Sequence, residues 1–163
     1  MNPADVLKYG HKTVLDTLKG ITLEQMEIPN VCGVWSTRDV MAHLASYELF
    51  LDGVLGTFLG EAPTPTLVNI GEVGPVRFND LQVEMRKKYS AQAVLDEYTT
   101  ATERNLSRVP LISAEVWRQV GTIPWYGPEY ALDDFIVYGF YGHKREHSAQ
   151  ISIFKDTLKT SGI

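Results

Sequence analysis

Apolar side chains recur at steps of three and four along four long stretches of this chain, and that spacing limits its fold more than any other feature. In the first stretch, from about Ala4 to Lys19, Leu7, His11, Val14, Leu18 and Ile21 fall on one face of a helix. Asn2 and Pro3 suit its start and Gly20 its stop. The second opens at Ser36, where Ser36-Thr37-Arg38-Asp39 has the form of a capping box with Asp in place of the usual Glu. Trp35 and Val40 flank that box at the positions of a hydrophobic staple. A helix then runs to about Leu59, with Val40, Leu44, Tyr47, Leu51, Val54 and Phe58 as its apolar positions. The third opens at Ser90 and carries Leu95, Tyr98, Thr102, Leu106 and Val109 on one face before Pro110 ends it. The last starts near Tyr130 and runs to about Thr160, where Ser161-Gly162 stop it. Strand-like alternation never lasts beyond a few residues. The expected architecture is an all-α four-helix bundle. Long irregular connections are expected after the second and third helices, over EAPTPTLVNIGEVGP and LISAEVWRQVGTIPWYGPE, with a short helix at about 78–88.

A chain of 163 residues is long enough to bury a core as one domain, 1–163. Its net charge of -5 argues against nucleic-acid or anionic-membrane surfaces, which need a concentrated basic stripe. Arg86-Lys87-Lys88, the densest basic run, reads as a solvated face. The single cysteine, Cys32, cannot form an internal disulfide; it reads as a passive thiol in a reducing compartment. No stretch has the apolar length of a signal peptide or a membrane span, so a soluble cytoplasmic protein is expected.

The chemistry concentrates in YGHKREHSAQI, residues 141–151. Positions four apart on a helix differ by about 40° in direction, so His143 and His147 project from the same side. They lie on a stripe with Ile136, Phe140, Ile151 and Phe154. Imidazoles in an apolar seam need partners, either hydrogen bonds or a metal ion. His43 lies beside Leu44 in the second helix, whose middle can meet the middle of the fourth in a bundle. Three neutral imidazoles leave an open position on an ion, as catalytic sites do. All-nitrogen ligation suits Zn, Ni, Fe or Cu and disfavours Mg or Ca.

GVWSTRDVMAHLASYE resembles the second-helix signature of the DinB/YfiT-like family, and HKREHSAQI is similar to that family's last-helix pattern of two histidines followed by glutamine and isoleucine. The resemblance runs the length of the chain in helix order. It implies a four-helix bundle with a divalent metal on His43, His143 and His147, and a homodimer. It also implies a small-molecule function. Some relatives are linked to transfer of low-molecular-weight thiols such as bacillithiol and mycothiol, others to hydrolase-type self-protection.

Around those ligands, Tyr47 is a candidate acid or hydroxyl donor one turn after His43. Glu146 completes an H-x-x-E-H pattern in which Glu is a general base, against the plainer reading of a solvated carboxylate. Gln150 is placed to bond a ligand histidine or a water on the ion, and Trp125 and Tyr126 to roof a pocket. Glu48 and Asp39 are candidates for orienting an imidazole. His11 reads as a core histidine bonded to a neighbouring helix, with a fourth-ligand role as the alternative. The expected function is a metal-dependent enzyme, a hydrolase or a transferase with a thiol cosubstrate. The opposing expectation is a non-catalytic bundle that binds metal or sequesters a small molecule.

Overall fold

The computed structural model describes residues 2–161 and is helical, with no strand among them. Helix α1 (Pro3–Leu18) starts where Asn2 Oδ1 accepts the Ala4 amide at 3.0 Å, and it stops before Gly20, whose φ of +81° few other residues tolerate. Helix α2 (Thr37–Phe58) begins on the expected capping box: Ser36 Oγ accepts the Asp39 amide at 3.2 Å and Asp39 Oδ2 accepts the Ser36 amide at 3.1 Å. Trp35 packs against the cluster that contains Val40.

The connection after α2 is not the irregular loop that its prolines and glycines suggested. It holds α3 (Pro65–Val73), and α4 (Pro75–Arg86) follows where a short helix was expected at about 78–88. Thr64 caps α3 by accepting the Leu67 amide, Pro65 sits in the first turn where its missing N–H costs nothing, and Gly74 (φ +77°) separates the two helices. These residues are start and stop signals of short helices, and sequence alone reads them as loop punctuation.

Helix α5 (Ala91–Arg108) is capped by Ser90, and a 3-10 turn at Val109–Leu111 follows it. Its buried face centres on Val94, Tyr98, Ala101, Thr102 and Asn105 rather than on Leu95 and Leu106, because a buried asparagine disguises the stripe. After the short α6 (Ala114–Arg118) the chain is irregular until α7 (Leu132–Ile136). A π-helical stretch, Val137–Gly142, joins α7 to α8 (His143–Ser161), so the expected single last helix carries one wide turn. The proposed stop residue Gly162 lies outside the described residues.

Arg86, read as part of a solvated basic face, is buried instead. Its guanidinium spans Glu97 Oε2 at 2.5 Å and Oε1 at 3.0 Å, and it donates to Gln82 Oε1 at 2.7 Å. A bidentate carboxylate partner makes that burial tolerable.

In the bundle α1 lies against α8 and α5, and α2 lies against α5 and α8. The apolar interior is split in two. One cluster gathers Leu7, Leu51, Leu55, Ile136 and Phe140; the other gathers Val14, Val40, Leu44, Val94 and Ile151. Between them, from all four helices, lie His11, His43, Glu48, Thr102, Asn105, Lys144, His147 and Ser148. A polar layer thus crosses the middle of the bundle, and the candidate ligands belong to it.

Candidate metal centre

His43 and His147 are only 2% and 6% exposed, and His143 is half-buried. The π turn and the first turns of α8 present the two α8 rings to α2. His143 Nε2 lies 2.7 Å from His43 Nε2 and 3.0 Å from His147 Nε2. The candidate ligand atoms of all three lie within 4.8 Å of one another, and their rings meet edge to face at centroid separations of 4.7–4.9 Å. These are the three residues that sequence spacing and family resemblance single out.

Protons alone cannot satisfy this trio. His147 Nδ1–H donates to Gln150 Oε1 at 2.8 Å, so the neutral ring presents Nε2 as a lone pair. His143 Nε2 can carry one proton, which cannot serve both neighbours as a full hydrogen bond. His43 Nδ1 is buried with no hydrogen-bond partner. Three nitrogen lone pairs converging from a mostly dry interior fit a divalent cation better than they fit one another, so the three-histidine group could hold a metal ion.

Electrostatics points the same way. Burial drives the His43 pKa down to about 2, with the neighbouring His143 and His147 adding to it. Burial drives His143 down to about 3, helped by His147 and Lys144. His147 is also lowered by burial, against an opposing pull from its Gln150 hydrogen bond. All three rings stay neutral at pH 7, which is the form that ligates metal.

Tyr47 stands on the cluster, its ring centroid 4.8 Å from that of His43 and 4.7 Å from that of His143. Burial raises its pKa, so its hydroxyl keeps its proton, and it donates to Asn79 Oδ1 at 3.1 Å. Trp35 closes the other flank, 5.2 Å from His43. Glu146 is exposed on the surface of α8. Trp125 and Tyr126 line a groove of about 860 Å³ that Tyr47 also lines.

Neither carboxylate proposed to orient an imidazole hydrogen-bonds to one. Asp39 is spent on the α2 cap and on Arg38. Glu48, 1% exposed, lies 2.6 Å from Lys144 Nζ, a close ion pair without the angles of a directed hydrogen bond, and its Oε2 accepts from Asn105 Nδ2 at 2.9 Å. His11 lies outside the three-histidine group; its ring tilts over Tyr98 at 5.3 Å and its Nδ1 lacks a hydrogen-bond partner, contrary to the bonded core histidine expected. Cys32 is half-buried and free, its backbone bridged to Trp35. Sequence inspection passed over Lys144 and Asn105. The signal was there: Lys144 lies four residues after Phe140 and seven before Ile151, on the apolar stripe, where a charge needs a buried partner.

No helix among the described residues is long and apolar enough to cross a membrane. No curated protein and no solved structure shows significant similarity to the chain. A family model does: that of the DinB superfamily matches residues 7–151, from the first turns of α1 to the helical turn past Gln150. With nearly the whole helical bundle inside that match, the chain belongs to the DinB superfamily.

Proposed function

We propose that His43, His143 and His147 hold a divalent transition metal and that the chain is a metal-dependent enzyme acting on a small molecule. The convergence of three neutral Nε2 atoms, which hydrogen bonding cannot fully satisfy, carries this proposal. Three nitrogen donors suit Zn, Ni, Fe or Cu. Bound there, such an ion supplies Lewis-acid chemistry for a hydrolysis or holds the sulfur of a thiol cosubstrate as thiolate. The protein's own residues do the rest. Gln150 fixes the tautomer and direction of the His147 ring. Tyr47 offers a protonated hydroxyl beside the rings, and Trp35 and Phe140 help keep bulk water out. Glu146 is exposed next to His147, and its charge opposes the lowering of that ring's pKa. A single domain and the homodimer implied by family resemblance belong to the same proposal.

A second reading, a non-catalytic binder, is favoured by the groove beside Tyr47, which can hold a ligand with or without turnover. Chelation separates the two. Turnover of hydrolysable or thiol-acceptor substrates that is lost on chelation and regained with added metal supports the enzyme. Ligand binding that is indifferent to chelation, with no turnover under either condition, supports the binder.

A further inference from the structure

The groove has a composition of its own. Its walls come from α2, α3, the 125–126 segment, α7 and the π turn, and include Tyr47, Phe50, Ile70, Trp125, Phe135 and Phe140. Its rings already meet edge to face, Trp125 with Phe135 at 5.4 Å and Phe135 with Phe140 at 5.1 Å, while Phe50 stacks on Phe140 at 6.2 Å. No residue lining it carries a charge. Trp125 is 58% exposed at the same groove, an unusual place for so large an apolar surface unless something covers it. The α3 wall contains no fully buried residue; its Leu67 and Ile70 are partly buried against the apolar cluster of Leu51 and Phe140.

Tyr47 is the wall shared by the groove and the histidine cluster. Tyr47 also brings a polar group to that wall: its hydroxyl oxygen keeps lone pairs free while its proton goes to Asn79.

We infer that this groove is the binding site for an uncharged small molecule with a flat aromatic or branched apolar body, oriented with its polar end at Tyr47. Ring faces give such a body offset-stacked and edge-to-face contacts. A ligand carrying carboxylates would lose its hydration there and gain no cationic partner. The anionic body of a peptide thiol is therefore excluded from the groove. The inference depends on the metal proposal only for what lies beyond Tyr47; the groove's ligand class stands on the lining itself.

The probe is N-phenyl-1-naphthylamine, neutral and aromatic, followed by its own fluorescence on direct excitation, with glutathione as competitor. Wild-type protein is expected to bind the probe saturably, and glutathione at millimolar concentration is expected not to displace it. Trp125→Ala, at an exposed position, is expected to weaken binding at least fivefold. Ile70→Glu, on the α3 wall, is expected to weaken it at least tenfold. Wild-type protein stripped of metal by chelation is expected to bind the probe within twofold of protein reconstituted with metal, so failure of the metal proposal leaves this result intact. Displacement by glutathione, wild-type affinity in both groove variants, or no binding at all overturns the inference. So does affinity that falls as protein concentration rises, which would show a second copy of the chain covering the groove.

Discussion

His143 shows how a single ring couples the centre to stability. Its folded-state pKa near 3 lies below the ordinary value of 6.5, so between those limits the unfolded chain binds more protons than the folded one. Stability of the metal-free protein is therefore full above about pH 6.5 and falls as pH drops toward 3, by about 2 kcal/mol from this ring at pH 5. Urea unfolding at pH 7.5 and pH 5 should show that loss, and His143→Gln should show a smaller one. An equal loss in the variant would remove His143 as its source. Gln150 gives a second expectation. Gln150→Ala frees the His147 ring and should weaken metal binding by about 10–100-fold in a competition titration, with little change in helical content. At this scale the sequence was informative where chemistry repeats at helical spacing, as at His143, His147 and Gln150. It gave Glu48 an imidazole to orient, because its actual partner, Lys144, comes from another helix.

Helix α3 depends on a close approach that only glycine permits. A Cβ added at Gly53 would stand 2.4 Å from Thr64 Oγ1 and 3.0 Å from Leu67 Cβ, and one at Gly56 would stand 2.8 Å from Glu61 Oε2. The GVLG segment of α2 is the bed on which the start of α3 lies. Gly53→Ala should push α3 outward, cost about 1–3 kcal/mol of stability and raise hydrogen exchange across 64–73 more than across α5. Unchanged exchange in α3 would mean that α2 yields instead. The four long helices were legible because their apolar spacing and caps agree, as at Ser36 and Ser90. α3 was not, because it is nine residues with no buried side chain and so lacks a core stripe. The π turn was not either, since a wide turn leaves residue types unchanged and depends on packing around Phe135 and Phe140.

Across the whole molecule, the polar layer between the two apolar clusters brings His43 opposite His143 and His147. The Glu48–Lys144 pair crosses the same α2–α8 boundary, with both side chains at most 2% exposed. Lys144→Met leaves Glu48 buried beside Asn105 alone and should cost about 3–5 kcal/mol in chemical denaturation. Glu48→Gln/Lys144→Met should cost less than the sum of the two single changes; strict additivity would show that the pair is not coupled. The chain's membership of the DinB superfamily was recognisable from its two histidine motifs, whereas the layer that carries them became visible only once all four helices were in place. The central claim is that one cation is shared by three rings. Metal content after reconstitution and dialysis tests it, measured on wild type, His43→Ala, His143→Ala, His147→Ala and His11→Ala. The account predicts about one tightly held divalent ion per chain in wild type and His11→Ala, and its loss in each of the other three. Equal metal in all five proteins would contradict it.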